Sequence, residues 1–275
     1  MCHEFDSFVQ SINATLDQAP DARSRTLAVR DLVVRALHSR EFHLACIERL
    51  LDKIALGDGV RLFTSLHFDR DRLYSVRMVF WRGGLVANPH RHDHWTVTGV
   101  MHNTLRFCVF ELDACGTLMP RPIKQFDAAA GEVGYICTPC IHNVANLAEA
   151  TAVSLHVFSH PRAGEAADTV VFALPGGAPI AAAEDLVASA AARDRALCDC
   201  APLLEALGGD RARVALARIF QAGSHRTKLH AVRALLALDP ATGAAKAREL
   251  ADSLPEPQAV RLRSLCHAMQ STLSV

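Results

Sequence analysis

The segment WRGGLVANPHRHDHWTVTGVMHN carries His90, His92 and His94 at steps of two. In an extended strand, residues i and i+2 share a face, so a pair such as His90 and His92 can offer two imidazoles to one ion. Neutral imidazole suits iron, zinc, copper and nickel. A third histidine, His142, follows in GEVGYICTPCIHNVANL, after a strand and a turn that would deliver it as a ligand from a neighbouring strand. Three histidines leave coordination positions open, as a catalytic metal requires and a structural one does not. An isolated H-x-H-x-H run also occurs on solvated strand edges, and it is the second block that favours the metal. Cys137-Thr-Pro-Cys140, two residues before His142, has the spacing of a zinc knuckle or a redox pair, but no second C-x-x-C follows. Both thiols are expected to be small buried residues at the mouth of the strand region, the alternative being that Cys140 faces the metal.

The elements that must position these groups are legible in the patterning. Through residues 5–56 apolar side chains recur at three- and four-residue steps, as in Val29, Leu32, Val33, Ala36 and Leu37, then Leu44, Ile47, Leu50, Leu51 and Ile54. That is a buried helical stripe, stopped at Gly57-Asp58-Gly59. From Arg61 to about Leu174 the period shortens. Segments such as RLYSVRMVFW, WTVTGVM, TLRFCVFEL and TAVSLHVF are short, β-branched and aromatic, and broken by Gly, Pro, Asn and Asp, which predicts a sandwich or barrel. ALPGGAPIAAAED (173–185) reads as a linker. Beyond it RVALARIFQAG and KLHAVRALLAL have helical spacing, interrupted at Gly208-Gly209, Gly223-Ser224 and Pro240. The predicted organisation is residues 1–175 as a strand domain with a helical cover and 183–275 as a small helical domain.

Composition narrows the functional classes. The chain has 275 residues, 50% hydrophobic and 21% charged, with 29 Lys+Arg against 29 Asp+Glu. Zero net charge and the lack of a basic run exclude a polyanion-binding role, so no nucleic-acid partner is expected. No apolar stretch is long enough for a membrane span, and the opening MCHEFDSFVQ has no positive-then-apolar run. A cytoplasmic protein with its nine cysteines reduced is expected. Histidine is the exception to this ordinary composition. Of 14 residues, seven lie between His90 and His160, and both Trp and both Tyr fall within 74–135.

The two histidine blocks resemble the paired motifs of the cupin superfamily. More narrowly, Trp81 closing a strand nine residues before His90, HNVAN at His142, and AVSLHVFSHP just after are similar to the cysteine dioxygenase group of thiol dioxygenases. The likeness spans residues 60–162. It implies an α+β protein: a cupin-type double-stranded β-helix barrel with N-terminal helices, followed here by a C-terminal all-helical domain. It further implies Fe(II) held by His90, His92 and His142, because the distance from Trp81 favours this pair over His92 and His94. His94 would then either back the metal ligands or face substrate. The cupin carboxylate ligand would fall at Val97, so the site would be three-His. Ser154, His156 and Phe158 share a strand face by period two. The resemblance makes Ser154 and His156 a relay beside the metal, with Phe158 replacing the family's Tyr.

The Arg that grips the substrate carboxylate in that family would fall near Thr64 or Ser65, and neither is basic. Arg77, within an otherwise apolar strand, is the candidate replacement, either facing substrate or turned out over the N-terminal helices. With His94, Phe158 and Trp81 it completes the expected substrate-binding set. The implied reaction is oxidation of a small thiol by O2, with a substrate other than L-cysteine. The alternatives are a cupin that senses a metal or ligand without turnover, and a cupin oxygenase acting at a nitrogen or carbon centre. The C-terminal helices are expected to serve a homo-oligomer or a protein partner.

Overall fold

A computed structural model describes residues 3–57, 63–161, 169–172 and 189–273. The expected linker at 173–185, Asp58-Gly59 and the expected domain boundary lie outside the described residues. Two compact units are present, one drawn from 1–49 and 60–188, the other from 50–59 and 189–275.

The chain opens with three helices, α1 (His3–Gln18), α2 (Ala22–Leu37) and α3 (Arg40–Ala55). Asp21 starts α2 by accepting the Ser24 N–H at 2.9 Å, which satisfies one of the helix's orphan donors. The expected stripe is inward, with Val29, Val33 and Leu37 of α2 and Leu44, Ile47 and Leu50 of α3 buried.

Ten strands follow among the described residues: β1 (Phe63–Asp69), β2 (Tyr74–Trp81), β3 (His90–Arg91), β4 (Thr96–His102), β5 (Leu105–Phe110), β6 (Lys124–Ala128), β7 (Val133–Ile136), β8 (Ile141–Ala145), β9 (Ala152–Ser159) and β10 (Val170–Val171). They form two five-stranded antiparallel sheets, ordered β1-β2-β9-β4-β7 and β10-β3-β8-β5-β6. The chain crosses between sheets at most connections, which holds them face to face. Their inner faces share one apolar cluster, Val79 and Trp81 from β2, Val100 from β4, Leu105 from β5, Ala128 from β6, Val144 from β8 and Ala152 from β9. The fold is therefore a mixture of helix and antiparallel sheet, as the patterning predicts. On the outer face of the first sheet α2 packs against β4 and β7. The approach is close enough that a Cβ on Gly99 would come 2.4 Å from Leu37 Cδ1.

In the other unit the described helices are α4 (Ala190–Leu207), α5 (Gly209–Ala222), α6 (His225–Leu238), α7 (Pro240–Asp252) and α8 (Glu256–Leu273). The breaks fall where the sequence put them. Ser224 caps α6, Asp239 caps α7, and Pro240 takes the first helical position, where its missing N–H costs nothing. Cys198 and Cys200 are buried in α4.

Candidate metal centre

Antiparallel pairing of β3 with β8 sets His90 directly opposite His142. His92, two residues on, returns to the same face just beyond the strand. The ring centroids lie 4.4 Å (His90–His142), 4.7 Å (His90–His92) and 5.4 Å (His92–His142) apart. One nitrogen from each ring falls within 4.8 Å of the others. The second nitrogen of each is already engaged. Nδ1–H of His90 donates to the Asn88 carbonyl at 2.8 Å, and that of His142 to the Cys140 carbonyl at 3.1 Å. A carbonyl only accepts, so the proton sits on Nδ1 and Nε2 keeps its lone pair as the donor atom. His92 Nδ1 is 3.2 Å from Thr169 Oγ1.

Burial lowers all three pKa values; repulsion from neighbouring histidines adds to it for His142, to about 4, and for His92, to about 3. At neutral pH the three rings are unprotonated and could serve as ligands. The donor set fits one ion of the imidazole-binding metals, iron, zinc, copper or nickel.

A second group of residues backs this centre. The Trp81 indole N–H donates to Ser154 Oγ at 2.7 Å, Ser154 Oγ is 2.8 Å from His156 Nε2, and His156 Nδ1 is 3.0 Å from Thr98 Oγ1. Ser154 and His156 do share the inner face of β9. Both His156 nitrogens face hydroxyls, which fixes the ring, and burial drives its pKa to about 3, with nearby His92 and Arg77 lowering it further. At neutral pH it is a positioned hydrogen-bond group and carries no charge. Phe158 stacks on His156 (5.2 Å, 6°) and meets His92 edge-on at 5.6 Å.

All of these residues except Ser154 line a cavity of about 1010 Å³ between the sheets. Arg77 faces into it. It lies opposite His156 in register, its Nε–H donates to Ser75 Oγ at 3.1 Å, and its Cζ sits 5.4 Å from the Phe158 ring centre. Of the two expected orientations, the one toward the helices is thus absent. His94 also lines the cavity, and its buried Nε2 has no hydrogen-bond partner among the described residues. Trp81 forms part of the wall from within the apolar cluster, 2% exposed.

Two expectations need correction. Val97 does not occupy the position of a metal-facing carboxylate: Thr96 and Thr98 line the cavity, while Val97, like Gly99, points to the opposite face of β4, where α2 packs. Strand alternation makes this unavoidable once Thr98 reaches His156. Cys137 is half-exposed and outside the cavity, whereas Cys140 lines it, its thiol pKa raised by burial. Thr98 was readable from the alternation in WTVTGV. Thr169, far along the chain from His92, carries no sequence signal.

No family model and no curated protein matches the chain. Among solved structures it is similar to oxalate decarboxylase of Bacillus subtilis, a protein with Mn(II) centres, at 20% identity and a TM-score of 0.28 over 36% of this chain and 24% of that one. A structure of the same decarboxylase at pH 4.6 matches at 19% identity and a TM-score of 0.25, over 31% and 20%. An oxalate oxidase in complex with the substrate analogue glycolate matches at 21% identity and a TM-score of 0.27, over 32% and 42%. The likeness thus spans about a quarter of the decarboxylase's length, and at these scores it assigns the chain no activity.

Proposed function

We propose that the protein is a metal-dependent cupin oxygenase in which His90, His92 and His142 hold Fe(II) and a small thiol is oxidised by O2, RSH + O2 → RSO2H. The observation that carries this reading is the convergence of three neutral imidazoles, two of them with Nδ1 locked on a carbonyl, at the wall of a cavity large enough for a substrate. The ion supplies the joint binding and activation of a thiolate and O2. The chain's own residues do the rest. Arg77 and the unpaired His94 Nε2 offer donors to an acceptor group on the substrate. Phe158 closes the space between His92 and Arg77 to water, and the Trp81–Ser154–His156–Thr98 chain of hydrogen bonds keeps that wall from rotating.

Ser65, near which the family's carboxylate-gripping Arg would fall, pairs in register with Arg77. A cation is therefore supplied to the same level of the sheet from the next strand, with a different reach, which supports a thiol other than L-cysteine. Phe158, lacking a phenol hydroxyl, favours as a second reading an oxygenase acting at a nitrogen or carbon centre. The test is metal analysis followed by oxygen uptake and product mass over a panel of small thiols. Iron-loaded protein is expected to add two oxygens to at least one of them. An iron-loaded protein that consumes no O2 with any thiol overturns the reading. His142→Ala separates an enzyme from a sensor, because only an enzyme has metal-dependent product to lose.

A further inference from the structure

We infer that the substrate is elongated, with its donor atom at the histidines and an anionic group about 10 Å away at Lys124, two strand spacings off, joined by an apolar or aromatic body lying between β6 and β7. The donor end rests on the proposed metal site, and the rest of the inference stands on separate residues. β6 and β7 are the terminal strands of their sheets, and between them the cavity continues into a lobe of about 150 Å³ whose walls include Phe107, Phe126, Val133 and Gly134. Two cross-strand rows lead outward from the centre. On one sheet His142 pairs with Val109 and Val109 with Lys124. On the other His156 pairs with Thr98 and Thr98 with Gly134, where a Cβ would meet nothing within 4 Å, so the wall recedes.

The lining along this route is that of a binding cleft. Phe107 and Phe126 stack at 5.5 Å and 13°, yet Phe126 stays 43% exposed, an aromatic face left for a ligand. Lys124 Nζ stands 5.3 Å from the Phe126 ring centre and has no carboxylate at ion-pair distance among the described residues. The other charged groups at this end each have a partner, an opposite charge for Asp127 and Arg30 and a backbone N–H for Glu132. Asp127 is held by Arg106 at 2.7 Å, Glu132 by the Ala129 N–H at 2.6 Å, and Arg30, over Tyr135 on the facing lip, by Asp31 at 2.7 Å. Among the described residues at this end of the main cavity, Lys124 is left as a cation beside the Phe107–Phe126 wall, complementary to an anion on an apolar stem. A cavity of about 1010 Å³ is also far more than a two- or three-carbon thiol fills.

Anaerobic calorimetric titration of the iron-loaded protein with mercaptopropionate, mercaptooctanoate and mercaptooctanol tests this. At single-bond lengths of about 1.5 Å, the octanoate stem spans the required distance. Mercaptooctanoate is expected to bind more than about tenfold tighter than mercaptopropionate, from burial of its methylenes, and about fivefold tighter than the uncharged mercaptooctanol at low salt. Lys124→Glu, at an exposed strand position, is expected to abolish or invert the preference for acid over alcohol. An acid-to-alcohol ratio unchanged in Lys124→Glu, or mercaptopropionate binding as tightly as its long homologue, overturns the inference. Because the titration reads no turnover, a protein that passes it but consumes no O2 loses only the oxygenase reading. One that oxidises short thiols but fails it loses only the cleft.

Discussion

His90 and His142 each commit Nδ1 to a backbone carbonyl, so their orientation is set by main chain and survives changes among neighbouring side chains. His156 is held by two hydroxyls, Ser154 and Thr98. Thr98→Val keeps the side-chain shape and removes the hydroxyl that faces the buried His156 Nδ1. The expected cost is about 1–3 kcal/mol, read as a lower urea midpoint with unchanged slope, while metal stoichiometry stays the same because no ligand is touched. A drop in bound metal would place His156 in the ligand set and contradict the role given to it here. The convergence of His90, His92 and His142 was legible because side chains two apart on an extended strand share a face. Thr98 obeys the same rule, and counting five residues from His92 to Val97 landed on the wrong side of the strand.

β4 carries the whole argument about faces. Its inner residues Thr96, Thr98 and Val100 serve the cavity and the apolar cluster, and its outer residues Val97 and Gly99 serve α2. Gly99 is small because the helix is close: an added Cβ would lie 2.4 Å from Leu37 Cδ1 and 3.0 Å from Val33 Cγ1. Gly99→Ala is therefore expected to destabilise by about 1–3 kcal/mol through overpacking, with Leu37→Ala in the same chain relieving part of that cost. Additive losses in the double variant would mean that β4 and α2 do not touch there. The helical elements were the more readable ones. Ser224, Asp239 and Pro240 act at helix starts through local hydrogen bonds and a fixed φ, which need no knowledge of the partner surface. Pairing of β3 with β8, by contrast, joins segments some fifty residues apart, and only the expectation of a shared ion pointed to it.

Among the described residues, histidines with depressed pKa values are distributed unevenly. In the strand-bearing unit burial lowers the pKa of His43, His90, His92, His102, His142, His156 and His160, while in the helical unit only His230 among the described residues is so shifted. An unfolded histidine titrates near 6.5, the buried ones lower, down to about 3 for His92 and His156. Between those values the unfolded chain binds more protons than the folded one, so stability falls as pH falls through that window. The sign is that of any group with a depressed folded pKa: the contribution is complete above 6.5 and lost on the way down to the folded values. Both tryptophans, Trp81 and Trp95, lie in the strand-bearing unit, so their fluorescence reports that unit alone. For metal-free protein, the urea midpoint seen by fluorescence is expected to drop markedly from pH 7 to pH 5. The midpoint seen by helical circular dichroism, to which the other unit contributes most of its helices, is expected to move less, separating the two curves as pH falls. Curves that stay superimposed throughout would mean that the two units unfold as one. A fluorescence midpoint independent of pH would mean that the cavity histidines are already solvated in the folded state.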